Sequence, residues 1–172
     1  KNHFGSVYIP EGGGWSPQSL HDFVPRTSPM GSYNALVDLV GHRHLGGKTL
    51  LFLLDGLYTA AHNEGNVFRF ESYGDDWASS LLASQDPIAL DSVGLDILRS
   101  EPRAVEVRGN ADNYLHEAAQ ASRPPSGTVY DPVKSGAPLA SLGVHEHWNN
   151  PQEKKYSRNL GRKTGIELIV SV

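Results

Sequence analysis

Lys48-Thr49-Leu50-Leu51-Phe52-Leu53-Leu54-Asp55-Gly56 is the stretch on which the fold turns. Five consecutive apolar residues end on an Asp-Gly pair, and Gly46-Gly47 closes the other side. A short apolar run bounded by glycine reads as a central strand buried on both faces. Downstream, Asp86-Pro87 is a helix start, because aspartate accepts the unpaired amides of a first turn and proline suits its first position. Ile88, Ala89, Leu90, Val93, Leu95, Ile97 and Leu98 then make the helix running to Ser100 apolar nearly all round, which predicts burial. Strand, then helix, then strand points to an α/β layer fold, a sheet flanked by helices, over a sandwich.

Outward from these two elements the signals weaken. Residues 1–31 carry Gly12-Gly13-Gly14 and read as loop. Ser32 to Val40 reads as a short helix with Ser32 at its N-cap. Ala104 to Val107 reads as a short strand, Asp112 to Ser122 as an amphipathic helix closed by Pro124-Pro125, and Ile166 to Val172 as a closing strand. From Ser126 to Arg162 the Gly, Pro, Asn and Ser content predicts an extended covering segment.

The 172 residues amount to one domain by length, and 38% hydrophobic against 20% charged residues is enough to bury a core. Eighteen glycines and 11 prolines imply long connections. A net charge of −4, from 15 basic and 19 acidic residues, argues against a nucleic-acid or anionic-membrane surface as main partner. No cysteine is present, which excludes thiol nucleophiles, zinc ribbons and any iron–sulfur cluster held by this segment. The longest apolar run, Leu50 to Leu54, is far too short to span a bilayer.

Several groups carry chemistry. Asp55 follows the strand directly, at the end where open α/β sheets bind ligands, though an Asp-Gly pair also caps its own turn. Asp91 has Pro87, Ile88, Gly94, Leu95 and Leu98 as helical neighbours, so its carboxylate is expected to be buried and partnered, by a structural hydrogen bond or in a site. Asp86 is explained by capping. Among eight histidines, His145 and His147 stand two apart, and in extended chain both imidazoles share a face and suit one metal ion. His3, Asp55 or Asp91 is the candidate third ligand. His42 and His44 repeat the spacing around Arg43, in what reads as a solvated loop. Lys1, Asn2 and His3 form a further group able to hold a phosphate or carboxylate, with Gly5 permitting close approach. His62 and Glu64 are candidates for the rim beyond Asp55. Gly-x-Gly-x-x-Gly, Walker and Gly-x-Ser-x-Gly signatures are absent.

Three strings also look familiar together: Lys1-Asn2-His3-Phe4-Gly5, Leu54-Asp55-Gly56, and Ser84-Gln85-Asp86-Pro87-Ile88-Ala89-Leu90-Asp91-Ser92. With Asp112 to Ala118, Gly143 to Asn150 and Tyr156 to Gly161, they resemble the domain-of-unknown-function 362 family over nearly the whole chain. The resemblance implies a longer N-terminal part and hence an incomplete domain here. It also implies an exported, periplasmic setting in many members, and in some a fused ferredoxin-like iron–sulfur module. It implies no single reaction. Two expectations follow. One is an enzyme using Asp55, Asp91 and the histidines around a divalent metal on a small polar ligand, with Lys1 and Asn2 assisting. The other is a non-catalytic accessory module serving an iron–sulfur or electron-transfer protein partner.

Overall fold

The computed structural model describes residues 29–60, 65–103 and 110–171. They form a mixed α/β structure in two compact units, drawn from Lys1–Leu50 with Arg108–Leu142 and from Leu51–Val107 with Gly143–Val172. The strand expected over Ala104 to Val107 lies outside the described residues.

In the first unit, helix α1 (Ala35–Gly41) is capped by Asn34, whose side chain accepts the Leu36 amide at 3.0 Å. The cap falls two residues beyond the expected Ser32. That serine is engaged elsewhere: its amide and that of Gly31 donate to Asn113 Oδ1, and its carbonyl accepts from Asn113 Nδ2. A second helix of this unit (Asn110–Ala119, termed α3 below) packs on α1 and buries Tyr114, Leu115 and Ala118.

The second unit is built on strand β1 (Phe52–Gly56), a short β2–β3 hairpin (Thr59–Ala60 and Val67–Phe68), strand β4 (Ser80–Ser84) and helix α2 (Pro87–Ser100). β1 pairs antiparallel with β4, in register from Phe52 opposite Ser84 to Gly56 opposite Ser80. The helix began as expected at Asp86-Pro87, and Asp86 Oδ1 accepts the Ile88 and Ala89 amides at 2.9 and 2.8 Å. α2 packs on β1 and β4, and Gly94 faces Leu54, where a Cβ would stand 2.5 Å from the leucine methyl. Glycine is what permits that approach. Val93, Tyr156 and Ile166 form the core with Leu82, Ala89, Ile97, Trp148 and Leu168 around them.

The structure corrects two strand readings. β1 is buried on one face only: Phe52 is buried, whereas Leu53 is 60% exposed and Asp55 is exposed. Its helix cover lies on one side and its neighbour is antiparallel, so the parallel-sheet reading of a continuous apolar run does not apply. Residues 166–171 form no strand. The Asn159 side chain takes the neighbour's place there, donating to the Leu168 carbonyl at 2.9 Å and accepting its amide at 3.0 Å.

Glu101 closes α2 and is buried, with its carboxylate accepting the Ser72 amide and hydroxyl and the Arg103 amide at 2.9–3.0 Å. Burial pushes this carboxyl up, but the donated hydrogen bonds win and hold it below the usual range. A depressed carboxyl contributes stability above its unfolded value of about 4.3, and that part is lost as pH falls through the folded value. Glu101→Gln is expected to flatten the acid limb of a stability–pH profile below about pH 4.3. An unchanged acid limb would show that the pairing contributes nothing.

Candidate metal centre

Residues Val144 to Trp148 run along α2 and are tied to it at three points. Asp86 supplies the first, because the oxygen not used in capping, Oδ2, accepts the Val144 amide at 2.9 Å. His145 Nδ1 then lies 2.9 Å from Ser92 Oγ, and His147 Nδ1 lies 2.6 Å from Asp96 Oδ1. The match is geometric. Ser92 to Asp96 is a rise of about 6 Å along a helix axis, and two extended residues span about 6.6 Å. An i, i+2 histidine pair can therefore meet an i, i+4 polar pair residue for residue.

Alternation sends the intervening side chains the other way. Glu146 accepts the Ser157 and Ile166 amides, and Trp148 packs on the core cluster. His145 and His147 thus share one face as the spacing predicts, with ring centroids 4.9 Å apart and planes at 85°. A ring nitrogen of each lies within 4.8 Å of the other's. Small ring rotations bring such a pair to the separation of two donors on one ion, each bonded at about 2 Å.

Asp96 is the buried anchor. Its side chain is 5% exposed, and Oδ2 accepts the Trp148 amide at 3.0 Å and the Tyr156 hydroxyl at 2.9 Å. An ionised carboxylate removed from water costs several kcal/mol unless fully partnered, and these donors with His147 supply the partners. Burial, then the Asp96 charge and hydrogen bond, push the Tyr156 hydroxyl far up, so it remains a donor. Both Asp96 oxygens are committed, and among the described residues of this unit His145 and His147 each offer a ring nitrogen to a candidate metal-binding group.

Asp55 and Asp91, the carboxylates expected to join the histidines, are both exposed. Asp55 is exposed within β1 and its Oδ1 accepts the Leu57 amide at 3.0 Å, which is the turn role. Asp91 is exposed, contrary to the burial expected of it. The inward stripe of α2 runs through Ser92, Val93, Leu95 and Asp96 and leaves Asp91 on the outer side. His42 and His44 sit after α1 in the first unit, where Arg43 Nε donates to His44 Nε2 at 3.0 Å. Lys1, Asn2, His3, His62 and Glu64 lie outside the described residues. Sequence reasoning missed Ser92, Asp96 and Tyr156. The signal available was a Ser-x-x-x-Asp step on the buried stripe of an apolar helix. No helix among the described residues is long and apolar enough to cross a membrane. Comparison with protein-family models, curated proteins and solved structures gives no match to this chain.

Proposed function

We propose that His145 and His147 hold a divalent transition-metal ion and that the protein is a metal-dependent enzyme acting on a small polar substrate. The observation that carries this reading is the pair of imidazoles on one face, each anchored through Nδ1 to a residue of α2. Imidazole donors suit zinc, copper, nickel or iron over magnesium or calcium. A metal-bound histidine is commonly backed by a carboxylate on its other nitrogen, as Asp96 backs His147. Such an ion supplies a Lewis acid and lowers the pKa of a bound water, and two protein ligands leave positions for water and substrate. The resemblance to the domain-of-unknown-function 362 family belongs to the same proposal and specifies no reaction.

The test is zinc binding by the untagged protein in calorimetry and its metal content after purification. The expected result is one zinc per chain, with affinity at least 100-fold weaker in His145→Ala/His147→Ala and unchanged in Asp55→Ala. A folded wild-type protein that takes up no zinc, copper or nickel would sink the proposal.

A second reading, the accessory module for an iron–sulfur or electron-transfer partner, has one observation in its favour. The outer face of β1 and β4 carries exposed apolar side chains, Leu53 at 60% and Leu81 at 67%, around the exposed Asp55 that stands opposite Leu81. Clustered exposed apolar side chains of this kind are a feature of interaction sites. Metal-free, folded protein in every variant would move the reading there.

A further inference from the structure

We infer that Lys154 is a positioning residue for the histidine segment: its ammonium, seated between the rings of Tyr73 and Trp148, latches the chain end that follows His147. The inference rests on the metal-site reading for its purpose, but the latch belongs to the metal-free protein.

The seat is built from two separate stretches of chain. Lys154 Nζ stands 5.0 Å from the Tyr73 ring centroid and 5.6 Å from that of Trp148. Both distances fall within the roughly 6 Å over which a ring face attracts a cation, and tryptophan is the strongest such partner. Tyr73 ends a 3-10 turn, Glu71–Tyr73, and is fixed from behind. Its ring meets the buried Phe70 with centroids 5.4 Å apart, and the neighbouring Ser72 donates its amide and hydroxyl to Glu101. Trp148 directly follows His147, donates its amide to Asp96 Oδ2 and lies against Tyr156 with centroids 6.4 Å apart. Among the described residues no carboxylate pairs with Nζ, and the two ring faces are its partners.

The backbone is shaped to deliver this side chain. Lys154 has a φ of 52°, a left-handed conformation in which glycine or asparagine is the usual residue. Residues 149–155 hold it there. The Asn149 amide donates to the Lys155 carbonyl at 2.9 Å, Asn149 Oδ1 accepts the Lys155 amide at 3.0 Å, and the Lys154 amide donates to the Asn150 carbonyl at 3.0 Å. Glu153 Oε2 in turn accepts from the side-chain amides of Asn149 and Asn150. Both ends of the loop meet on one atom, because Asp96 Oδ2 accepts the Trp148 amide and the Tyr156 hydroxyl. Left-handed backbone and an ordered lysine side chain are each unfavourable alone, and the cation–ring contacts offset them. Without the ammonium, Trp148 keeps Tyr156 but loses its tie to Tyr73, and the chain end carrying His147 opens more often.

Amide hydrogen exchange of the metal-free protein, followed by NMR, reads the latch at the Trp148 amide. The Ile88 and Ala89 amides at the Asp86 cap serve as internal reference. Lys154→Met removes the charge and keeps the length, whereas Tyr73→Leu removes the ring and keeps the charge. Each is expected to speed Trp148 exchange about two- to fivefold, the range for a partly exposed cation–ring contact, with the reference amides unchanged. Lys154→Arg and Tyr73→Phe keep cation and ring and are expected to stay near wild type. The double variant Lys154→Met/Tyr73→Leu is expected to exchange no faster than either single one. Ring currents are expected to place the Lys154 ε-protons upfield of those of the exposed Lys155. Lys154 ε-protons level with those of Lys155 would overturn the inference. So would unchanged Trp148 exchange in folded Lys154→Met and Tyr73→Leu proteins.

Zinc affinity is compared in Tyr73→Leu, where no charge changes, and is expected to fall about two- to fivefold with the loss of the contact. Faster Trp148 exchange with unchanged zinc affinity would overturn the positioning role. A latch seen by exchange in a protein that binds no zinc would uphold the latch and sink the metal reading. Tight zinc binding by a protein whose Trp148 amide ignores both substitutions would do the reverse.

Discussion

Glu117→Ala is expected to destabilise the first unit by about 2–6 kcal/mol, the cost of leaving two buried donors without their acceptor. Glu117 on α3 is completely buried. Its Oε1 accepts the Ser126 amide at 2.8 Å, and its Oε2 accepts the Ser126 hydroxyl and, at 2.7 Å, the Tyr130 hydroxyl. Tyr130, also completely buried, accepts the Asn34 amide at 3.0 Å and stacks on Tyr33 with centroids 5.7 Å apart. One carboxylate therefore fastens the 126–130 segment to α3 and, through Tyr130, the capping residue of α1. Burial first, then the Glu117 hydrogen bond and charge, hold the Tyr130 hydroxyl protonated and donating. Alanine would leave the Ser126 amide and the Tyr130 hydroxyl without their acceptor, each costing about 1–3 kcal/mol. Glu117→Gln keeps one acceptor oxygen and turns the other into a donor, so an intermediate loss of about 2 kcal/mol is expected. Urea titrations of wild type, Glu117→Ala, Glu117→Gln and Tyr130→Phe test this. A loss under about 1 kcal/mol for alanine would show that water replaces the carboxylate at no great cost.

The same contrast between local and distant partners explains what the sequence revealed and what it hid. Asp86-Pro87 was legible because a cap and the amides it accepts lie within three residues. The first helix was found but its cap was misplaced, because Ser32 is claimed by Asn113, 81 residues away. Leu50 to Leu54 announced a strand, but five apolar residues look alike whether one face is covered or two. Only the antiparallel β4 and a helix on one side decide it. Asp55 shows the reverse outcome. The turn chemistry of Asp-Gly, visible locally, is what the structure contains.

At the candidate site, the histidine spacing carried real information, since alternation in extended chain puts His145 and His147 side by side wherever the segment lies. Burial was expected of Asp91, and the buried carboxylate of the helix is Asp96. Both Asp91 and Asp96 interrupt apolar helix, and five residues of helix turn them about 140° apart. Which one faces inward depends on where β1, Trp148 and Tyr156 press on α2, a property of distant chain. Had Ser92 and Asp96 been read as an i, i+4 pair, the i, i+2 histidines would have been their natural match.

Gly143→Ala is expected to cost the second unit about 2–4 kcal/mol and to weaken zinc binding at least tenfold, although Gly143 has no side chain to contribute. Its φ of 157° is one that L residues rarely adopt, and a Cβ there would overlap the Asp86 carboxylate and stand 2.9 Å from Ile88 Cβ. Asp86 cannot step aside cheaply. One oxygen caps α2 through the Ile88 and Ala89 amides, and the other holds the Val144 amide that starts the histidine segment. A displaced cap costs about 1 kcal/mol, and overpacking against fixed atoms adds about 1–3 kcal/mol. His145 follows two residues later, so any shift that relieves the overlap moves its ring off Ser92. Gly74→Ala is the control, since its φ of 71° is also left-handed but a Cβ there meets nothing within 4 Å. That change is expected to cost only about 1 kcal/mol of backbone strain and to leave zinc affinity alone. Placing Gly143→Ala in an Asp86→Ala background separates the causes. If the carboxylate is the obstacle, the second substitution costs clearly less there than in wild type. Equal costs in both backgrounds, or equal losses at Gly74 and Gly143, would remove Asp86 as the link between the helix cap and the histidine pair.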